Sequence, residues 1–295
     1  MDKKVEGSWL VHHTNKLGSV TSIASYESTA SAGKAGILLS AISADNQIVI
    51  DMQRVRALAA AANISMLELP TLIDILEGKG LIDKSSNSVS VLGITTHTAL
   101  THTSDLFRSL NPEPIELASL DFAEQASQKP IDKSYAKEYL SDTYKIESVA
   151  VDRFFYDAEM IGFVDSEDYG GNKLYFNGNI FRDGNPLKIK KVLDSLSQAE
   201  SDCLMRVNAE LQSVACLSVD EVSTKLGPKL FDKLCAVGYF DINVVSNSQT
   251  DYGYVTLPST FSKYSTSMID DAFDLAKAFV SSYSGGLVSI FSHSR

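Results

Sequence analysis

Gly80-Leu81-Ile82-Asp83, Gly162-Phe163-Val164-Asp165 and Gly238-Tyr239-Phe240-Asp241 repeat one short phrase, at intervals of 82 and 76 residues. Each copy follows a stretch with helical apolar spacing, at residues 66–79, 148–161 and 228–237. A glycine behind a helix supplies the left-handed conformation that ends it, and the two apolar residues after it begin a strand. A polar turn comes next, at residues 84–87, 166–172 and 246–252, and a second strand returns at 88–92, 173–176 and 253–257. The phrase marks a junction between a helix and a β-hairpin, made three times.

The stretches upstream repeat as well. Residues 30–43 predict a helix, 47–50 a short strand, and 52–62 a second helix with Asp51 as its N-cap. Residues 116–128 predict the corresponding helix of the second copy, Lys129-Pro130-Ile131 its extended link, and 132–144 its second helix. In the third copy 189–214 reads as one long helix. Cys216-Leu217-Ser218 is extended there, and 219–226 is helical, with Ser218 as cap and Glu221 three residues on.

The order helix, short strand, helix, helix, two-stranded wing resembles the winged-helix (winged helix-turn-helix) family over most of residues 30–262. The resemblance implies a mainly α fold with small β-wings, an α+β class, of three tandem winged-helix modules joined by helices. The first module with an N-terminal segment occupies 1–94, a linker helix 95–111, the second module 112–186, the third 187–262, and a closing helix with a loose tail 263–295. Residues 7–25, which include Trp9, read as a strand or cap on the first module. The closing helix spans 267–281, with Ile269, Phe273, Leu275, Ala276 and Phe279 on one face.

Composition narrows the function classes. The 295 residues are 44% hydrophobic and 21% charged, enough apolar material for real cores and unlike a disordered chain. The net charge of −11 argues against an indiscriminate nucleic-acid coat, whose affinity depends on neutralising phosphates. No apolar run follows Lys3 and Lys4, so no secretory signal is read, and the apolar run at 272–288 is too interrupted to span a bilayer. The expectation is a cytoplasmic protein without membrane contact. Cys203, Cys216 and Cys235 lack CxxC spacing and read as free, buried thiols rather than a disulfide or zinc framework.

No catalytic constellation stands out, and no cofactor is expected. His12 and His13 are adjacent, and His97 and His102 are five apart, so neither pair has the spacing of a helical two-ligand metal site; surface or capping roles are expected. Asp165-Ser166-Glu167-Asp168 lacks calcium-loop spacing and reads as a solvated wing tip. The stretch Ala30-Ser31-Ala32-Gly33-Lys34-Ala35-Gly36 is no phosphate loop, and its small residues suit close helix packing.

In the winged-helix family the third helix commonly enters the major groove. Here the third helices of the first two copies carry Glu68, Asp74 and Glu77, then Asp152, Asp157 and Glu159, and would repel phosphate. Residues 112–186 alone carry 7 basic and 15 acidic groups, which suits a protein-facing module. The third copy differs. Lys188, Lys190, Lys191, Arg206, Lys225, Lys229 and Lys233 make it the candidate nucleic-acid-binding region, with Arg54 and Arg56 a smaller candidate in the first. Two expectations follow: a DNA-associated protein, such as a regulator or a subunit of a DNA-processing or defence complex, touching backbone through the third module; or a non-catalytic adaptor that binds protein through the first two. The second resembles the use of tandem winged helices in endosomal-sorting scaffolds and in the kleisin-associated subunits of bacterial condensins. The apolar stretch from Met66 to Ile73 fits it.

Overall fold

Three helices end on the repeated glycines, and they end alike. In the computed structural model, which describes residues 1–18, 24–45, 47–181, 185–246 and 251–259, Gly80, Gly162 and Gly238 sit at φ of 65°, 84° and 73°. The amide after each glycine donates to the carbonyl five residues back: Leu81 to Leu76 at 3.0 Å, Phe163 to Ala158 at 2.8 Å, Tyr239 to Leu234 at 2.9 Å. Each glycine amide donates three residues back, to Glu77, Glu159 and Cys235. This paired closure satisfies carbonyls that a helix end leaves open, and it needs the positive φ that glycine adopts without strain.

The same positions before and after each glycine face inward. Leu72, Ile73 and Leu76 in the first copy match Phe154, Phe155 and Ala158 in the second and Leu230, Phe231 and Leu234 in the third. With Leu81-Ile82, Phe163-Val164 and Tyr239-Phe240, none is more than 9% exposed.

Around these junctions the element order repeats. The first copy runs α2 (Glu27–Ser43), β1 (Val49–Asp51), α3 (Met52–Ala61), α4 (Leu69–Gly78), β2 (Ile82–Lys84) and β3 (Ser88–Val91). The second runs α6 (Pro114–Gln128), β4 (Ile131–Asp132), α7 (Lys133–Tyr144), α8 (Ser148–Ile161), β5 (Asp165–Tyr169) and β6 (Asn172–Phe176). The third runs α10 (Gln198–Val214), β7 (Leu217–Ser218), α11 (Val219–Leu226), α12 (Pro228–Ala236), β8 (Asp241–Ser246) and β9 (Asp251–Thr256). Helices α1 (Lys3–Leu17), α5 (Thr96–Ser109) and α9 (Asn185–Asp194) lie outside the repeat. Every sheet is antiparallel and places the last strand in the middle: β1-β3-β2, β4-β6-β5, β7-β9-β8. The fold is mainly helical with small three-stranded sheets, an α+β class.

The chain divides into two compact units, one of Met1–Glu124 with Ala136–Phe163, the other of Gln125–Tyr135 with the described residues from Val164 onward. In the first unit α1 is the central helix, packed by α2 and α5. Of the expected strand or cap at 7–25, residues 7–17 are helix packed on α2 of the first copy, so the strand reading fails there. Asp2 caps the helix through the Lys4 amide, and residues from Glu6 to Thr14 are buried without interruption. A helix buried all round shows no amphipathic period, which is why its pattern misleads. Glycines permit the crossings: a Cβ on Gly7 would stand 2.0 Å from the Leu100 carbonyl oxygen, and one on Gly33 1.9 Å from Thr14 Oγ1. The packing role read for the small residues of α2 holds. Glu6, nearly buried, accepts from Ser104 at 2.5 Å and pairs with Arg108, and Trp9 Nε1 donates to Glu124 at 2.6 Å.

His12 and His13 correct the expectation of surface or capping roles, being 2% and 0% exposed. None of their ring nitrogens has a hydrogen-bond partner. His13 stacks on Phe163 with ring centroids 3.8 Å apart, and Trp9 meets His12 edge-on. Burial, reinforced by Lys16, pushes the His12 pKa down to about 3, and burial, with His12 and Lys16, pushes His13 well below the ordinary range.

The second unit surrounds a core that includes Phe176, Phe181, Ile189, Leu211, Phe231 and Phe240. The expected long helix over 189–214 is two helices. The chain breaks at Ser197, whose hydroxyl accepts from the Glu200 amide at 3.3 Å while the Glu200 carboxylate accepts from the Ser197 amide at 2.8 Å. The acidic run 165–168 is strand β5 rather than a wing tip; the turn is Gly170-Gly171. The three cysteines are free, but Cys216 is exposed and Cys203 and Cys235 are half-buried, so the expectation of buried thiols fails. The closing helix expected at 267–281 and the tail beyond it lie outside the described residues.

Candidate interaction surfaces

With the core positions of the three frames matched, their outward positions can be compared, and they differ in chemistry. On α4 the outer residues include Thr71, Asp74 and Glu77, and Asp74 binds Lys84 at 2.8 Å. The outer face of α4 is acidic. On α8, Val149, Arg153, Tyr156 and Met160 follow helical spacing along one stripe; Val149 is 81% exposed, Tyr156 and Met160 each 64%. Arg153 stands 3.8 Å from Asp157 on the next turn, so this arginine keeps most of its freedom. On α12 the outer residues are Lys229, Asp232 and Lys233. One frame thus presents an acidic, an apolar–aromatic and a basic face.

All seven basic residues singled out in the sequence lie in the second unit, but their charges are not equally available. Lys190 is held by Asp132 at 2.7 Å and Asp194 at 2.8 Å. Burial opposes its charge, yet these two hydrogen bonds outweigh it and hold its pKa above the ordinary lysine value. The same Asp132 accepts the Tyr169 hydroxyl. This cluster borders a cleft of about 380 Å³ whose walls include Ile131, Leu204, Met205 and Tyr239. Lys225 is shared by Glu210 at 2.5 Å and Glu221 at 2.7 Å, which raise its pKa. Arg206 borders the same shallow depression as Lys225 and Glu210. Lys233 donates to Ser195 Oγ at 2.7 Å, which sets α12 beside the end of α9. Lys188, Lys191, Arg206 and Lys229 are exposed and, among the described residues, make no ion pair. In the first unit Arg54 pairs with Asp45 at 3.0 Å, and Arg56 is exposed.

The hairpin β8–β9 is the second apolar surface. Ile242, Val244, Val245, Tyr252 and Tyr254 are between 37% and 61% exposed. Val245 lies opposite Tyr252 and Asn243 opposite Tyr254 on one side, with Ile242 and Val244 on the other. Sequence reading placed this hairpin but missed its exposed apolar residues, and it missed the α8 stripe. The signal was there: apolar residues at 149, 156 and 160 fall off the core side of α8, and the adjacent Val244 and Val245 put apolar side chains on both faces of β8. Among the described residues no group of three His, Cys, Asp or Glu side chains is placed to hold a metal, and no helix is long and apolar enough to cross a membrane. A comparison with known proteins finds no matching family model, no matching curated protein and no matching solved structure.

Proposed function

We propose that the protein is a non-catalytic adaptor built from three winged-helix modules, and that it binds a protein partner through the outer face of α8. The module reading is supported by the helix–strand–helix–helix–hairpin order and by the shared sheet order of the three frames. One observation carries the docking reading: Val149, Tyr156 and Met160 lie exposed in line with Arg153 on a helix whose other side is core. Tyr, Met and Arg are enriched where proteins meet, and an apolar stripe on a helix that would otherwise face phosphate suits protein better than DNA. The test is a photo-crosslinking amino acid at position 156 or 160 of the full chain, expressed in its native cells, with position 142 on α7 as control. Discrete protein adducts from 156 and 160 but not 142 are expected. Adducts with nucleic acid, or none, would refute the docking role.

The basic face supports a second reading, DNA contact through the third module. Lys188, Lys191, Lys229 and Lys233 lie on adjoining helices α9 and α12. A duplex-binding salt series with Lys188→Glu, Lys191→Glu and Lys229→Glu combined tests it. Affinity that falls with salt and disappears in the variant supports DNA contact; no binding at low salt removes this reading.

A further inference from the structure

The exposed residues of the α8 stripe, Val149, Arg153, Tyr156 and Met160, follow one another at steps of four, three and four. At about 100° per residue they fall within about 60° of one another around the helix. Steps of three and four are those at which one helix packs along another. The order of steps also reads the same from either end. Two such stripes, laid antiparallel about a twofold axis level with the Phe154–Phe155 peptide, set Val149 opposite Met160 and Arg153 opposite Tyr156, and each contact is made twice.

Charge selects both the register and the occupant. Arg153 is the one charge on the stripe, and its side chain is 79% exposed. A parallel alignment in register, or an antiparallel one shifted by three residues, would bring Arg153 against its own copy. The twofold register instead puts each guanidinium against a tyrosine ring, a cation–π contact, and the apolar ends against each other. The flanking carboxylates are engaged within the chain: Asp152 with Lys137 at 2.5 Å, Asp157 with Arg153 at 3.8 Å, and Glu159 as well. A patch that complements itself in this way is what a twofold homodimer requires. We infer that the outer face of α8 docks, antiparallel, on α8 of a second copy of this chain. The inference rests on the docking role proposed for this face and names its occupant.

The test is sedimentation velocity of the full chain over a concentration series. The series must reach about 500 µM, because one helix face buries less than the roughly 1,600 Å² of a standard interface and holds weakly. A reversible monomer–dimer equilibrium is expected. Tyr156→Arg sets arginine against arginine twice and should weaken association about tenfold or more. Adding Arg153→Tyr exchanges the two partners and rebuilds both cation–π contacts, so the double variant should return to within about threefold of the natural chain. Both positions are exposed, so the fold should be kept, and circular dichroism checks that it is. A chain that stays monomeric throughout would overturn the inference. So would a dimer indifferent to Tyr156→Arg, which must use another surface, or a double variant as weak as the single one. The photo-crosslink at position 156 separates the two failures. Adducts only with a different protein would keep α8 as a docking face and remove the second copy; no protein adduct would remove both.

Discussion

Mild acid should loosen the first unit through two histidines. His12 and His13 are buried in α1 without a partner for any ring nitrogen. The folded His12 pKa, pushed down to about 3 by burial and then by Lys16, lies below the value near 6.5 of an unfolded chain. A group whose folded pKa is depressed in this way binds its proton more readily when unfolded. Stability is then fully present above pH 6.5 and is lost as pH falls from there toward 3. The loss runs at about 1.4 kcal/mol per pH unit, so at pH 5.0 His12 alone removes about 2 kcal/mol, and His13 adds to it in the same direction. That is a large share of a typical domain stability of roughly 5–15 kcal/mol. The assay is urea unfolding at pH 7.5 and 5.0, followed by fluorescence of Trp9, the single tryptophan, which sits in the same helix. Above pH 5 carboxylates titrate little, so the slope belongs to the histidines. His13→Phe, which keeps the ring on Phe163, should raise stability at pH 7.5 by about 1–3 kcal/mol, because two unpaired polar atoms leave the core. The combined His12→Leu and His13→Phe variant should flatten the pH dependence. A wild-type midpoint unchanged between the two pH values, or a slope that survives in the double variant, would refute the reasoning.

Other substitutions probe other links. Gly7→Ala should destabilise the first unit by about 1–3 kcal/mol or more, since its Cβ would meet the Leu100 carbonyl, a backbone atom with little room to move; Trp9 fluorescence in urea reads the loss. Ser197→Ala removes half of the reciprocal cap that starts α10 and should cost about 1 kcal/mol, seen by hydrogen exchange at the α10 amides and not in α1. Gly162→Ala forces a left-handed alanine at φ 84° and should cost about 1–2 kcal/mol in thermal unfolding, with the α8 stripe still exposed. Tyr156→Ala, on the outer face of α8, should change stability by less than about 0.5 kcal/mol, so any lost partner binding can be assigned to the surface itself.

The parts of the fold written in local chemistry were legible. The three glycine caps and Asp51 and Ser218 as N-caps are short-range features, and each forms where the residues predict it; the hairpins follow them in the expected order, but their strands extend into the turns expected at 166–172 and 246–252. The central helix α1 was not, because burial on every side erases the polar stripe that marks a helix. The break before α10 carried a readable capping box, Ser197 with Glu200, but the apolar run through it looked continuous. Among the site residues, the pairings of Lys190 with Asp194 and of Lys225 with Glu221 could be read from four-residue spacing. Those with Asp132 and Glu210 could not, because the fold brings these acids in from other elements. Counting lysines therefore overstated the charge available to a phosphate.

The matched glycine junctions make the molecule its own set of controls. Asp74, Tyr156 and Asp232 occupy one outward position of the shared frame, and Thr71, Arg153 and Lys229 another, while the residues between them pack inward in every copy. An outward residue from one copy can be written into another with little change in core packing, since exposed substitutions of this kind are usually nearly neutral for stability. Each face is thus free to vary under its own selection, and grafting Tyr156 chemistry onto α4, or Lys229 chemistry onto α8, would separate what a surface recognises from the scaffold that holds it.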